Sequence, residues 1–233
     1  MAQRPVFIPD PNGLAHVRTQ TVDFQWHAGL APSQKQKSIA SLHHAARELP
    51  NIERVLEVSS KSVEKLGVAL SAFNLKLKVP GLAGDISVEC AFQGSKVFEN
   101  GGPFTDLFEL PPRDAKRDER LQRSGRLIGF CLMGERWPLE PQTAFYDWLY
   151  LNALSVRRDL STQLSGYSAF TDIEFNPEKS INCQAYSAAL FVSLERAHVL
   201  ETVIASREAF LTHLKPVATN NARQNDTVQG RLF

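Results

Sequence analysis

A short segment of the chain spaces three functional side chains so that they could act together. Glu89, Gln93 and Lys96 are separated by four and three residues in the sequence VECAFQGSK. On a helix this spacing places a carboxylate, an amide and an ammonium group on one face, with Phe92 beside them. Such a face could supply an acid/base group and a cation that binds an electrophile. The alternative is an ordinary surface helix on which the Glu and Lys side chains are solvated.

Six basic residues lie close together in the segment 113–126. They are Arg113, Lys116, Arg117, Arg120, Arg123 and Arg126. On a helix, their intervals of three and four would align most of them along one side. With the three acidic residues between them, the segment carries +3, whereas the whole chain carries +1. A phosphate-rich partner is one interpretation, and a solvated helix with intrahelical ion pairs is the other.

A third group mixes aromatic with acidic and amide side chains between Tyr167 and Asn182. It includes Phe170, Asp172, Glu174, Phe175, Asn176 and Pro177. In a loop, these groups are suited to recognising a base or a sugar, and Asp172 or Glu174 could orient a hydroxyl or activate a water. Asn-Pro is also an ordinary turn signal, so a structured corner is the alternative.

Composition excludes several classes of protein. Of the 233 residues, 43 % are hydrophobic, which is too many for a disordered chain. The net charge of +1 argues against a protein that coats DNA nonspecifically. Phosphate-binding loops, dinucleotide fingerprints and HxxxH metal patterns do not occur, so we expect neither a metal nor another cofactor.

The cysteines and the apolar runs predict where the protein resides. Cys90, Cys131 and Cys183 are odd in number and widely spaced, which fits neither a disulfide framework nor a CxxC metal site. No stretch approaches the roughly 20 apolar residues that cross a bilayer. We therefore expect a cytoplasmic protein with reduced thiols and no membrane contact.

The elements that must position these groups can be predicted from periodicity and helix-stop signals. We expect a strand at Val17 to Trp26 and another over Val68 to Leu77, with a loop from Tyr167 to Pro177. The expected helices cover Ser33 to Leu49, Val88 to Phe98, Arg113 to Gly125, Pro141 to Leu154 and Arg158 to Leu164, with one or two more between Ser187 and Leu214. These elements predict one helix-dominated α+β domain with short strands. Residues 1–69 would be an N-terminal extension packed on the core, 70–214 the catalytic domain and 215–233 a flexible tail.

Several segments, taken in order, resemble a known family. They are 70–75 (LSAFNL), 87–96 (SVECAFQGSK), Ala115-Lys116 followed by Gly125-Arg126, the helix with Tyr146 and Trp148, and Asp172 with Asn182. Together they resemble the NADAR family, which is related to the YbiA-like N-glycosidases, over roughly Leu70 to Leu194. The segment with Glu89, Phe92-Gln93 and Lys96 is the most specific part, and the resemblance implies a fold of the YbiA-like type.

Two motifs depart from the family pattern. The family's Asp-x-x-Trp-Gly has become residues 172–176 (DIEFN), and its late Asn-x-Leu-Gly has become residues 182–185 (NCQA). With the extended N-terminal region, these departures are similar to the branch encoded beside DarT-type DNA ADP-ribosyltransferase toxins. That branch acts as the antitoxin, and the resemblance implies that it removes ADP-ribose from guanine bases of DNA.

The implied reaction cleaves the N-glycosidic bond between ribose C1″ and a guanine amino nitrogen. It needs a proton for the leaving nitrogen and stabilisation of an oxocarbenium-like carbon. We expect Glu89 to be the general acid/base and Asp172 to hold ribose hydroxyls or activate water. Lys96 would bind the pyrophosphate or attack the ring-opened sugar as an amine nucleophile. The other expected substrate-binding residues are Asn74, Gln93 and Asn182, Lys116 and Arg126 for phosphates, and Phe92, Trp148 and Phe175 for base stacking.

Two other functions are compatible with the same residues. The protein could bind ADP-ribose or a nucleotide without hydrolysing it, or it could be an N-glycosidase that acts on a free phosphorylated metabolite. The expected partners are ADP-ribosylated DNA and a cognate DNA ADP-ribosyltransferase toxin. The end of the chain, Gln229 to Phe233 (QGRLF), resembles the peptide with which bacterial repair proteins dock on the sliding clamp. A chance match is the alternative for so short a motif.

Overall fold

Two eight-residue strands at the N-terminus begin the main sheet. Strand β1 (Ala2–Pro9) pairs antiparallel with β2 (Val17–Phe24), and Ala2 lies opposite Phe24. The computed structural model describes residues 1–29, 31–178 and 180–214. In β2, positions 17 and 19 are buried on one face and positions 22 and 24 on the other, because side chains alternate between the faces of a strand. The strand expected at Val17 to Trp26 is confirmed over Val17–Phe24.

Two more strands join this sheet from distant parts of the chain. β3 (Val55–Glu57) runs parallel to β9 (Ala169–Thr171), and Glu57 lies opposite Thr171. β9 also pairs antiparallel with β1, so the strand order in the described part of the chain is β2-β1-β9-β3. The segment expected to be a loop from Tyr167 to Pro177 thus contains a buried strand.

Helices cover both faces of the main sheet. Val6 and Ile8 of β1 belong to an apolar cluster with Ile39 and Leu42 of α1 (Pro32–Arg47). Phe7 points to the opposite face and packs edge-on against Tyr186 of α8 (Gln184–Arg196), with ring centroids 5.7 Å apart. Burial on both faces explains why the second half of β1, from Pro5 to Pro9, is a continuous apolar run rather than an alternating one.

The larger core surrounds one buried helix. α6 (Ala144–Ser155) contacts α3 (Val88–Gly94), α8, α9 (Leu200–Ile204) and α10 (Arg207–Leu214). The other elements are α2 (Lys65–Ala69), β4 (Lys76–Leu77), β5 (Ile86–Ser87), β6 (Lys96–Phe98), a 3-10 helix (Thr105–Glu109), α4 (Pro112–Arg117), α5 (Arg120–Arg123), β7 (Leu127–Leu132), β8 (Glu135–Trp137) and α7 (Arg158–Leu164). β4 pairs with β5, and β6, β7 and β8 form a three-stranded antiparallel sheet. The expected α+β class is confirmed.

Three of the expected elements are wrong in extent or type. Val68 to Leu77 is not a strand, because α2 occupies its start and β4 only its last two residues. The helix expected to reach Phe98 ends at Gly94, where a Cβ would lie 2.5 Å from the ring of Phe108. The helix expected over 113–125 breaks at Asp118, whose backbone is extended.

The expected domain boundaries lie at residues 70 and 215. β1 and β3 come from residues 1–69, and they share a sheet with β9 from beyond residue 70. The division at that residue stays a prediction, and the tail 215–233 lies outside the described residues.

All three cysteines are free thiols. In the part of the chain that the structure describes, no helix has both the length and the apolar character needed to cross a bilayer.

Candidate active site

The N-terminus of α3 is held by both a side chain and a neighbouring loop. The Ser87 hydroxyl accepts a hydrogen bond from the backbone N–H of Cys90 at 3.1 Å, which is a normal N-cap. The backbone N–H of Glu89 donates to the carbonyl of Ala72 at 2.9 Å. These bonds tie the first turn of the helix to the loop after α2, so Glu89 projects from a fixed backbone.

A cavity of about 750 Å³ opens beside this helix. Eight of the expected site residues line it: Glu89, Phe92, Gln93, Lys96, Lys116, Asp172, Phe175 and Asn182. A second cavity of about 420 Å³ shares Phe73 with the first, but Glu89, Lys96 and Asp172 do not line it. The larger cavity is the candidate site, because Glu89, Lys96 and Asp172 line it together with five more of the expected residues.

The carboxylate of Glu89 lies between an amide and an ammonium group. It is 5 % exposed, and Oε1 accepts a hydrogen bond from Nε2 of Gln93 at 2.8 Å. The Nζ of Lys116 is 3.7 Å from the same oxygen. The i, i+4 bond within α3 is the local geometry that the sequence spacing predicts. A carboxylate held in this way can exchange a proton with a bound substrate.

Lys96 reaches the cavity from a strand rather than from the helix. It is the first residue of β6, and its Nζ lies 4.8 Å from the centroid of the Phe92 ring. Burial lowers the pKa of Lys96 to about 8, while the charge of Glu89 raises it and that of Lys116 lowers it further. The ammonium group therefore loses its proton more readily than a solvated lysine, which suits an amine nucleophile, whereas its charged form could bind an anion.

The carboxyl of Asp172 follows strand β9 at the cavity wall. It accepts hydrogen bonds from Nε2 of Gln184 at 3.1 Å and from the backbone N–H of Glu174 at 2.9 Å. Oε1 of Gln184 in turn accepts from the backbone N–H of Ala72 at 2.7 Å. Burial raises the pKa of Asp172 to about 7, and these hydrogen bonds oppose that rise. Its charge therefore changes near neutral pH.

The aromatic residues of the cavity differ in exposure. Phe92 is packed edge-on against Tyr146, with centroids 5.3 Å apart, and Phe175 packs on Phe7 at 6.3 Å. Both are buried and form the wall of the cavity. Phe73 is half-buried, and the Nζ of Lys116 lies 5.4 Å from its ring centroid. Among these rings, Phe73 is the best placed for a base to stack on.

Three polar atoms of the lining residues have no hydrogen-bond partner within the described residues. They are Oγ of Ser71, Oε1 of Gln93 and Oδ1 of Asn182. Buried polar atoms are normally paired, so three unpaired atoms in residues that line one cavity are an unusual feature of this site.

Residues 2–224 match the family of DarT1-associated NADAR antitoxins. The chain belongs to this family. The match includes the N-terminal region, whereas the motifs that carried the resemblance lie between residues 70 and 194. No curated protein matches the chain.

Three residues expected in the site of this NADAR antitoxin lie elsewhere. The indole N–H of Trp148 donates to the carbonyl of Ile204 at 3.2 Å, which places the ring between α6 and α9. Nδ2 of Asn74 donates to the carbonyl of Val68 at 2.9 Å. Nε of Arg126 lies 3.1 Å from Glu99, and its side chain is 79 % exposed. None of the three lines the cavity, so their expected roles in substrate binding are not retained.

The basic segment does not form the continuous stripe that we expected. α4 and α5 are separate helices, because the backbone of Asp118 leaves the helical region, with φ −56° and ψ 128°. Oδ1 of Asp118 then accepts from the backbone N–H of Arg120 at 2.9 Å at the start of α5. Arg120 also pairs with Asp106, and Arg123 pairs with Glu119, four residues before it, at 2.7 Å. The alternative of one solvated helix with intrahelical ion pairs is therefore met only in part, by the pair of Arg123 with Glu119. Lys116 is the member of the segment that lines the cavity.

The sequence alone did not single out several residues that line the cavity. Phe73 lies within the LSAFNL segment, next to the asparagine that we selected, and Gln184 lies within a motif that departs from the family pattern. Their positions in those motifs were the available signal. Ser71 also lies within the LSAFNL segment, whereas Ser59 carries no sequence signal and only the fold places it at the cavity.

Proposed function

We propose that this member of the NADAR antitoxin family is an ADP-ribosyl-guanine glycohydrolase. It would hydrolyse the bond between ribose C1″ and the guanine amino nitrogen in ADP-ribosylated DNA, and so reverse the action of a cognate toxin. The observation that carries this proposal is the convergence of Glu89, Lys96 and Asp172 on one cavity. An acid/base group and a second carboxyl are the groups that glycosidic cleavage commonly uses, and an amine of lowered pKa can add a covalent step.

Glu89 is the general acid/base of the proposed reaction. Its burial excludes bulk water, and its bond to Gln93 fixes the orientation of the carboxylate. In that position it can deliver a proton to the departing guanine nitrogen and later take one from the attacking water. Lys116, which lies 3.7 Å from the same oxygen, would bind the pyrophosphate.

Lys96 is the nucleophile in this proposal. Protonation of the ring oxygen by Glu89 breaks the C1″–O4″ bond, and the lone pair of the guanine nitrogen forms an iminium with C1″. The uncharged amine of Lys96 adds to C1″, and the ammonium so formed returns a proton to Glu89. The C1″–N bond to guanine then breaks as Glu89 protonates the departing nitrogen, which leaves a protonated imine between Lys96 and C1″. Water then hydrolyses the lysine imine and releases ADP-ribose. The lowered pKa of Lys96 supports this role over that of a permanent cation.

Asp172 and the unpartnered polar atoms would bind the sugar. The carboxyl of Asp172 and the oxygens of Ser71, Gln93 and Asn182 lie in residues that line the same cavity. They can receive ribose hydroxyl groups, and an ionised Asp172 would stabilise the positive charge that develops at C1″. Phe73 would stack on a base at the rim.

The test is a glycohydrolase assay on DNA that carries ADP-ribosylated guanine. We expect Glu89→Gln to lower turnover by about 10²- to 10⁴-fold, the usual contribution of a positioned acid/base group. Glu99→Gln is the matched control, since Glu99 is about half exposed and pairs with Arg126 away from the cavity. Wild-type turnover by Glu89→Gln would remove the assignment of Glu89.

Either of two experimental results would favour a function other than the proposed one. Tight binding of ADP-ribose in calorimetry, without release of the modification from DNA, would favour a binding module. Cleavage of a free phosphorylated N-glycoside, with ADP-ribosylated DNA left intact, would favour a metabolite N-glycosidase.

Two partners belong to the same proposal. A cognate toxin would be a DNA ADP-ribosyltransferase encoded by a neighbouring gene, which genome context can test. The sliding-clamp peptide, Gln229 to Phe233, lies outside the described residues. Capture of the clamp by the full chain, and its loss from a chain that ends at residue 228, would support that contact, whereas unchanged capture would remove it.

A further inference from the structure

A second buried carboxyl, that of Glu57, lies near Asp172 and has no part in the proposed reaction. Glu57 ends strand β3, opposite Thr171 in the parallel pairing with β9, and is 1 % exposed. Residue 172 is the next residue after that pairing. The sheet therefore holds Glu57 close to the backbone from which Asp172 projects.

Glu57 is hydrogen-bonded to neutral groups alone in the described part of the chain. Its Oε1 accepts from the hydroxyl of Ser59 at 2.6 Å and from the backbone N–H of Ile173 at 2.8 Å. Its Oε2 is 2.8 Å from Oγ1 of Thr171, which is 3.0 Å from Nε2 of His43. No lysine or arginine forms an ion pair with Glu57 among these residues, and a buried carboxylate without a counter-ion is costly.

The pattern of donors and acceptors suits a protonated Glu57. In the ionised form Oε2 accepts from the Thr171 hydroxyl. On protonation the chain can reverse, so that Oε2–H donates to Oγ1 of Thr171 and the Thr171 hydroxyl donates to the lone pair on Nε2 of His43. Burial lowers the pKa of His43 to about 4, so its ring is neutral at pH 7 and able to accept. Burial, and then the charge of Asp172, raise the pKa of Glu57 to about 8, although the hydrogen bonds that its ionised form accepts from Ser59, Ile173 and Thr171 oppose the rise.

We propose that Glu57 is a positioning residue for Asp172, a neutral acid that anchors the 171–173 backbone and leaves Asp172 as the single negative charge of the pair. The inference rests on the proposed function for what that charge does, which is to face the developing positive charge on the sugar. Two buried carboxyls this close titrate as a pair, in which the ionisation of one opposes that of the other.

Other ionisable groups surround the pair. They are Arg4 on β1, His43 on α1, Tyr146 and Tyr150 on α6, Glu174 in the loop after β9, and Cys183 before α8. Burial raises the pKa of both tyrosines well above the ordinary value, so they stay neutral where the two carboxyls titrate. Glu174 is paired with Lys35 at 2.9 Å.

The experiment is a carboxyl-carbon NMR titration of the full chain, labelled at Asp and Glu side chains. In the wild type we expect the Glu57 carbon to keep the shift of a protonated acid at pH 7 and to titrate at higher pH than Asp172. In Asp172→Asn the Glu57 titration should move down by about one pH unit, a tenfold weaker proton affinity. In Glu57→Gln, the titration curve of the Asp172 carbon should lose the second inflection, which the ionisation of Glu57 causes in the wild type.

Asp85→Asn is the control, because Asp85 is an exposed loop residue and should leave both titrations unchanged. A carboxylate shift for Glu57 at pH 6, or a Glu57 titration unmoved by Asp172→Asn, would overturn the inference. The protonation state of Glu57 is read from the wild-type spectrum alone, so this part of the test does not depend on whether the variants fold. The titrations need no turnover, so a failure of the glycohydrolase assay would leave this result intact.

Discussion

The burial of the Lys96 ammonium group gives a way to separate its two roles by pH. With the pKa lowered to about 8, the amine is charged at pH 6 and becomes largely uncharged as the pH rises through about 8. A nucleophile must be uncharged, whereas a ligand for the pyrophosphate must be charged. The two roles therefore predict opposite responses to alkaline conditions.

We expect borohydride to trap a covalent adduct between Lys96 and ADP-ribose during turnover. The trapped fraction should rise between pH 6 and pH 8, in step with the uncharged amine, and mass spectrometry of the peptide with Lys96 would measure it. Lys96→Arg should give no adduct, and Lys78→Arg, at an exposed position in the same region of the chain, should trap normally. A Lys96→Arg enzyme with full activity would assign the residue to anion binding.

At the scale of elements, the end of α3 decides where Lys96 can reach. Phe108 of the 3-10 helix occupies the space beside Gly94, and the chain turns there into β6 instead of continuing as a helix. Ser95 N donates to the carbonyl of Ala91 at 3.2 Å, and Cys131 N donates to the carbonyl of Ser95 at 2.7 Å. This junction holds the lysine and the Glu89 carboxylate at the same cavity from two different elements.

Gly94→Ala should test that junction. The added Cβ would meet Phe108 at 2.5 Å and the backbone carbonyl of Phe104 at 3.0 Å, and Phe108 is buried with little room to move. We expect a loss of about 1–3 kcal/mol in the free energy of unfolding, measured by urea denaturation.

Gly84→Ala provides the matched control for this glycine. No atom lies within 4 Å of a Cβ at that position, so its stability should stay within about 0.5 kcal/mol of the wild type. Equal stability of the two variants would show that Phe108 yields and that the junction is not tightly packed.

Across the whole molecule, several buried acids make stability depend on pH. Asp147 of α6 is buried, and its Oδ1 accepts from the hydroxyl of Ser187 on α8 at 2.6 Å. Burial raises its pKa to about 7 in the folded state. The folded state therefore binds more protons than the unfolded state between about pH 4 and pH 7, so this group lowers the stability as the pH rises through that window.

Asp147→Asn should flatten this decline. We expect the free energy of unfolding to fall less between pH 4 and pH 7 than in the wild type, by on the order of 2–4 kcal/mol, because asparagine can still accept from Ser187 but carries no charge. Denaturation curves at several pH values would measure it. Asp85→Asn, at an exposed position, should retain the wild-type slope, and a similar slope for Asp147→Asn would contradict the linkage.

The sequence alone determined the features that depend on the spacing of nearby residues. The i, i+4 contact of Gln93 with Glu89 follows from helix geometry. The same regular spacing misplaced Lys96, because the packing of Phe108 ends the helix and no local pattern records it. Trp148 looked like a stacking residue, but it packs between helices, since a large aromatic side chain serves either purpose equally well.

Only the tertiary structure decided which distant segments meet. Parallel pairing of β3 with β9 brings Glu57 beside Thr171, and the loop after β9 places Asp172 on the same cavity as Glu89. Long-range strand pairing depends on the whole core and leaves no periodic signal in either short segment, so neither the buried acid nor its neighbours could be read from spacing. Residue types along the chain therefore predicted the groups for the chemistry, whereas the sheet and the buried helices determined which of them share one cavity.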